Sequence, residues 1–454
     1  MNNRSLLMGT VFLACSCAPV APPETAPPAN AQKNSVNNAE RQGVRDAFLL
    51  GYPVYQMALT RVRAEKFANN EGRTVINRFG HRRHLAGPQD RAVTTQNNDT
   101  IASAAWLDLR DGPVVLSVPP LPQRYHSVAL LDIFTDNFRI LGSRDGGKGG
   151  EYLISGPDWN GTAPNNMQHI VAPTNDVWAI VRVLVSGPAD LRNAVEAQSK
   201  FSVRSLDLGD KPQQLNAVPQ PAENPALFLE VVNEMLGRGP LPHYQDAKAR
   251  SLGQFGIQPG QQGAFASLPA HIQSIWTNRF AEMQETLRAG FMSSATVYDG
   301  WSYPDAGIGR FGENDFYRAA ISLGGLAALP EEEAIYLSAE KTGSLCYTLA
   351  VPREIPLKPG GFWSLTLYEQ TPEGRQYLFE NPIDRYAIGD RTPGIARNTA
   401  GGTDIFICPD SRGAENWLPS PAGKYGLTFR LYLPAQEVRD GRWKLGALIS
   451  VWAP

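Results

Sequence analysis

The chain has 454 residues, 42% of them hydrophobic and 19% charged, with 42 Gly and 36 Pro, a composition too apolar and too aromatic for a disordered polymer. Its 42 Lys+Arg against 44 Asp+Glu leave a formal charge of -2, so no global field recruits a polyanion and a dedicated nucleic-acid binder is excluded. At roughly 100–200 residues per domain the length allows several domains, and the excess of Gly and Pro over charge favours turn-rich β structure.

Residues 1–14 carry one cation, Arg4, and then the uncharged run Leu6 to Ala14, a secretory h-region too short for the roughly 20 helical residues of a membrane span. The run ends in Phe12-Leu13-Ala14-Cys15-Ser16-Cys17, which resembles a bacterial lipobox. Cys15 is the expected lipidation site, with Cys17 or ordinary cleavage near Ala29-Asn30-Ala31 as alternatives. The Pro/Ala-rich stretch 15–35 then reads as an extended, solvated tether. The expected address is the bacterial cell envelope, lipid-anchored and facing the periplasm or cell surface, with the membrane as one partner.

From Val36 to about Asn69 the apolar residues Val44, Phe48, Tyr52, Tyr55, Leu59 and Val62 recur at spacings of three and four, predicting an amphipathic helix that Pro53 should kink or split. Short β-rich runs follow: Trp106 to Leu109, Val114 to Val118, Tyr125 to Ile133, Phe138 to Leu141, Glu151 to Ser155 and Val177 to Val185. Turn residues bound each of them, the spacing of a sandwich or barrel. The glycine run Gly146 to Gly150 with Lys148 lacks the Gly-Lys-Ser/Thr ending of a phosphate loop and reads as a hairpin connection. The first unit is therefore 36–208, a helix plus a β-rich domain. A Pro- and Gln-rich stretch opens the second, 209–333, a linker and helical insert in which Asn224-Pro225 starts a helix that Gly237 ends. The third, 334–454, is a second β-sandwich.

After the leader only Cys346 and Cys408 remain, both in β-like runs. In an oxidising compartment they could pair, and the alternative is two buried apolar cysteines. No Cys-x-x-Cys is present, which excludes structural zinc on thiolates.

Two stretches carry a family resemblance. The segment Asn97-Asn98-Asp99-Thr100, Ala105 to Leu109, Gly112 to Pro119, Arg124-Tyr125, Asp132, Thr135, Phe138 and Tyr152 to Pro157 resembles the bacterial domain of unknown function numbered 1254. Phe362 to Tyr368, Asn381, Arg385-Tyr386, Asn416 to Pro419 and Arg430 to Tyr432 resemble its usual companion, the domain numbered 1214. The resemblance implies a mainly β fold with helical segments, two jelly-roll-like β-sandwich domains joined by a helical insert, often in oligomers, and it implies no established reaction. The chain departs from the common Asn-Asp-Thr-Leu-Tyr-Ser at Ala102, and His126 stands where a second Tyr is common. If the missing Tyr lines a pocket, Ala102 enlarges it.

Among residues that could carry chemistry, Gly80-His81-Arg82-Arg83-His84 is the densest titratable cluster. His81 suits acid/base work, because an imidazole near pKa 6.5 needs little tuning, whereas His-x-x-His without a third ligand leaves any metal undecided. Asp99 would be its paired carboxylate and Arg124 an electrostatic stabiliser. Asn98, Asp108, Tyr125 and His126, with Trp301, Arg385 and Trp417 from the later segments, are candidate ligand contacts. Neither a Gly-x-Ser-x-Gly elbow nor a Gly-x-Gly-x-x-Gly dinucleotide turn occurs, and no cofactor is indicated. The expected function is a cell-envelope lipoprotein that binds a small organic or carbohydrate-like ligand. The alternatives are a hydrolase or lyase built on His81, Asp99 and Arg124, and an oligomeric envelope scaffold.

Overall fold

A computed structural model describes residues 29–91, 93–206, 214–220, 224–293 and 295–451, so the leader with Cys15 and Cys17 lies outside the described residues. The stripe expected over 36–69 is the inner face of one helix, Ala29–Asn70, on which Val44, Phe48, Tyr52, Tyr55 and Leu59 are buried. Pro53 neither ends nor splits it. A proline removes one backbone hydrogen bond, and here the residues from Gly51 to Tyr55 are all buried, so packing holds the helix through it.

What that stripe packs against changes the domain boundaries. Phe48 lies 5.4 Å from Phe228 on the helix Pro225–Leu236 and 5.5 Å from Phe280 on the helix Ala270–Ser293. Together with Trp276, Leu287 and Ala320 these residues form a helical core of their own. The first helix thus packs on the insert through Val44 to Ala58, while Met57, Arg61 and Ala68 also hold it to the strands that follow. The helix start predicted at Asn224-Pro225 is present, with the Asn224 side chain accepting from the Ala226 N–H at 2.8 Å and Gly237 as C-cap.

The first sandwich packs a five-stranded sheet, in the order Gly80–His81, Thr100–Asp108, Asp176–Leu184, His126–Leu131 and Asn137–Gly142, on a four-stranded one, Gln168–Val171, Gly150–Ser155, Val114–Val118 and Ser202–Ser205. Ile101, Ala105, Leu107, Val128, Leu130, Val181 and Val183 of the first sheet meet Val114, Leu116, Tyr152 and Ile154 of the second. The glycine run is not the expected hairpin: it carries the chain from Asn137–Gly142 of the first sheet to Gly150–Ser155 of the second, strands that do not pair, and at Gly149, with φ +69°, a Cβ would sit 2.5 Å from the Val118 carbonyl oxygen.

In the second sandwich the larger sheet runs Ala295–Tyr298, Trp301–Pro304, Ala334–Thr342, Lys424–Pro434, Leu357–Gln370 and Gln376–Tyr377, with Ala387–Gly389 also paired to Leu357–Gln370. Its partner sheet runs Trp417–Pro419, Thr403–Cys408, Cys346–Val351 and Ile449–Val451. Two strands inside 209–333, the span read as linker and helices, therefore belong to this sheet. Their short β-branched and aromatic runs close a hairpin at Asp299-Gly300, where Gly300 has φ +77°. Cys346 and Cys408, each one position beyond the Tyr347–Ile407 end of the ladder between their strands, are joined as a disulfide with Cα atoms 4.6 Å apart.

Each large sheet is buried on both faces. Behind the sandwich cores, Trp106, Ala129, Leu131, Ile180 and Leu184 of the first pack against Ala334, Phe362 and Tyr432 of the second, with Met57 and Ala68 of the long helix closing one side. Period-two alternation decides which residues face this seam: Trp363, Leu365, Leu367, Phe429 and Leu431 point into the second core, leaving Phe362, Ser364, Thr366, Tyr368, Thr428, Arg430 and Tyr432 toward the first sandwich.

Candidate functional site

Where that seam turns polar, side chains of both sandwiches interlock. The Asn97-Asn98-Asp99-Thr100 turn forms as an Asx turn, the Asn97 Oδ1 accepting the backbone N–H groups of Asp99 at 2.6 Å and Thr100 at 3.0 Å. Its amide nitrogen donates to the Tyr432 hydroxyl of the second sandwich, and the Asn98 Nδ2 donates to the Ala86 carbonyl at 2.6 Å. The half-buried Asp99 carboxylate accepts from the Ser364 Oγ at 2.7 Å. Loss of water pushes its pKa up, against the opposing pull of Arg430, the Ser364 hydrogen bond and Arg391.

Arg430 is the buried cation of the seam. Its guanidinium donates to the Thr366 Oγ1 at 2.7 Å, the Tyr368 hydroxyl at 2.6 Å and the Thr95 carbonyl at 3.1 Å, and lies 5.5 Å from the Tyr336 ring centre. Phe362 and Tyr432 stack at 4.2 Å, and Tyr125 meets both rings edge-on at 5.2 and 5.1 Å. Arg391 covers the other face of Phe362 at 4.7 Å.

Tyr125 reaches beyond the rings to a second buried acid. Its hydroxyl donates to Glu333 Oε1 at 2.7 Å. Burial raises the pKa of both groups, which favours their protonated forms. The other Glu333 oxygen accepts no hydrogen bond among the described residues and has Arg144 Nε at 3.8 Å. Arg182 donates to the Ala327 carbonyl at 3.2 Å through Nη2, while its buried Nη1 finds no hydrogen-bond partner among the described residues. Ala102, the departure from the family pattern, stands directly across the ladder from Arg182, on the same face as Trp106, and is half-buried.

The other expected site residues go elsewhere. His81 hydrogen-bonds the Ser103 Oγ at 2.8 Å, and burial lowers its pKa. Arg124 forks onto Asp190 at 2.5 and 2.7 Å. His81, Asp99 and Arg124 therefore do not form one acid–base set: each is committed to a different partner. Asp108 is held by Arg110 at 2.6 Å and Arg238 at 3.0 Å, in a buried network that also ties Asp176 to Arg238 at 2.6 Å and to Arg61 of the long helix. His126 is fully buried, bonded to the Arg124 carbonyl at 3.0 Å and edge-on to Phe201.

The aromatic candidates of the second domain make their hydrogen bonds within that domain. Trp301 is 0% exposed, fills the second core and donates to the Gly446 carbonyl at 3.0 Å, which removes it from any surface platform. Trp417 donates to the Cys408 carbonyl at 2.7 Å, and Arg385 pins the Trp417 carbonyl at 2.9 Å. Of the expected residues, Asp99, Asn98 and Tyr125 lie at or beside the seam. Ser364, Tyr368, Arg430, Tyr432, Glu333 and Arg182 were not anticipated there. Their alternation with apolar neighbours is legible in the sequence, but it reads equally as a solvated strand face.

Among the described residues no group of three His, Cys, Asp or Glu is placed to hold a metal, and no helix is long and apolar enough to cross a membrane. A family described as Protein of unknown function (DUF1254) matches residues 76–205, and another, Protein of unknown function (DUF1214), matches residues 331–436. The chain belongs to this two-domain family. The DUF1254 span ends with the last strand of the first sandwich, and the DUF1214 span contains Glu333, Ser364, Arg391 and Arg430, so the seam is where the two family domains meet. The VPA0106 protein from Vibrio parahaemolyticus shares the fold, with a TM-score of 0.71 at 20% identity over 91% of this chain and 100% of that one. An uncharacterised protein from Burkholderia cenocepacia aligns at a TM-score of 0.44 and 11% identity over 93% of this chain and 96% of its own. No curated protein sequence matches the chain.

Proposed function

We propose that this DUF1254–DUF1214 protein is a cell-envelope binding module that holds a small organic or carbohydrate-like ligand between its two sandwiches, at the seam beside Ala102. The observation that carries this reading is the pair of buried groups without hydrogen-bond partners among the described residues, Arg182 Nη1 and Glu333 Oε2. An unmet buried donor or acceptor costs about 1–3 kcal/mol, so a ligand bearing both hydroxyl and carboxylate groups would relieve both. The aromatic wall of Tyr125, Phe362 and Tyr432 offers such a ligand an apolar face.

The test is a thermal-shift screen of sugars, sugar acids and hydroxy acids on the chain without residues 1–31. A stabilising hit should be lost in Arg182→Ala and Glu333→Gln and retained in Trp417→Phe, because binding to the folded state raises its stability by mass action. A hit of unchanged strength in both seam variants would remove the site. The enzyme alternative moves from His81 to the Tyr125–Glu333 pair, where a carboxyl with a raised pKa hydrogen-bonds a phenol at 2.7 Å, the arrangement of a general acid. Product formation lost in Glu333→Gln, with ligand still bound, would favour it.

The envelope address rests on the leader. Cys15, or Cys17, would carry the lipid, and replacing both with Ser should move the protein from the detergent to the aqueous phase. A second copy of the chain is a further expected partner, tested by sedimentation.

A further inference from the structure

A hollow of about 420 Å³ opens between the long helix and Ala270–Ser293, on the helical side of the molecule and apart from the seam. Its volume falls within the roughly 300–1,000 Å³ of small-molecule sites. The helix period builds it. Arg41 and Arg45 stand one turn apart on the first helix with Phe48 a turn further on, and Arg279 precedes Met283 and Leu287 at four-residue steps on the second. The result is a groove with a cationic mouth and an apolar floor, closed at one side by Phe316, over which the Arg45 guanidinium lies at 5.9 Å.

Charge decides what suits it. The lining holds three arginines and one acid, Glu282, whose carboxylate is already taken by Arg279 at 2.5 Å. Arg41 and Arg45 make no ion pair among the described residues and are exposed. In a chain of net charge -2 this is a local excess of positive charge set directly above buried Phe48 and Met283. An arginine pair recognises a carboxylate through directed N–H donors, and the floor favours an alkyl chain by removing it from water.

We propose that this groove binds one single-chain alkyl carboxylate, its head at Arg41 and Arg45 and its chain along Leu49, Met283 and Phe316. The volume accommodates one chain, which sets this ligand apart from a two-chain lipid. The groove and the seam share no residue, so the two sites stand or fall separately.

The experiment is isothermal titration of the full chain with dodecanoate below its micelle concentration, beside 1-dodecanol as the uncharged control. The expected result is a saturable one-to-one isotherm, at least tenfold weaker for the alcohol and at least tenfold weaker in Arg41→Ala/Arg45→Ala, whose changes lie on exposed positions. Met283→Trp, which fills the floor, should abolish binding. Equal affinity for the alcohol, an unchanged double variant, no isotherm, or association only with phosphatidylglycerol vesicles would each overturn the proposal.

Discussion

Replacing Arg430 with Met keeps an unbranched apolar stem in the buried site and removes the guanidinium with its charge. Three hydrogen bonds vanish, to Thr366 Oγ1, the Tyr368 hydroxyl and the Thr95 carbonyl. The Tyr368 hydroxyl keeps an acceptor in the Gln96 carbonyl at 2.7 Å, whereas the Thr95 carbonyl loses this donor. Asp99 loses the cation that most strongly opposes its desolvation. Removing one member of a buried charged set costs about 3–5 kcal/mol, and we expect a loss in that range at pH 8. The pH dependence has a definite sign. The folded-state pKa of Asp99 is already raised and rises further without Arg430, so the folded state holds its proton more tightly than the unfolded chain does. Stability then falls as pH rises from the unfolded carboxyl value through the folded one, and the loss caused by Arg430→Met should be smaller at pH 5 than at pH 8. In an Asp99→Asn background the same change should be milder, with a coupling of about 0.5–3 kcal/mol. Urea unfolding followed by circular dichroism at both pH values measures all four states. Equal losses at pH 5 and pH 8, together with strict additivity, would refute an electrostatic link between Asp99 and Arg430.

Further expectations concern other parts of the molecule. Reducing the Cys346–Cys408 bond, or replacing both residues with Ala, opens a loop spanning 62 residues and should lower stability by about 4 kcal/mol on the chain-entropy model; an unchanged urea midpoint would contradict it. Asp132, buried beside Asp136, has its pKa pushed up to about 7 by lost hydration and the neighbouring charge. Asp132→Asn should therefore gain on the natural protein as pH rises from 4 to about 7 and hold that advantage above, whereas a gain confined to low pH would show the sign to be wrong. Trp301→Ala should cost about 3–5 kcal/mol as a core truncation, and calorimetry showing a loss below 1 kcal/mol would place the ring at the surface after all.

How much of this was legible follows from what each signal depends on. The long helix, the cap at Asn224-Pro225 and most strands rest on local periodicity and turn chemistry. Both are properties of neighbouring residues, and both survive folding unchanged. Pro53 shows the limit: its local tendency to break a helix yields to burial of the residues around it. Trp301 shows another, since its neighbour Gly300 marks a turn correctly while saying nothing about the ring, which the second core encloses.

The amino-acid order by itself determined two β-rich domains with helices, the two-part family resemblance, and the capped helix start at Asn224-Pro225. The tertiary structure alone decided that the long helix joins the insert, that Cys346 and Cys408 bond, and that the polar rows Ser364 to Tyr368 and Thr428 to Tyr432 face a second protein layer instead of water. A strand alternating Ser, Thr, Arg and Tyr with Trp, Leu and Phe is written identically in either case. Only the sheet packed behind it removes the water, and with the water gone Asp99, Glu333 and Arg430 become groups whose charges must be answered by one another.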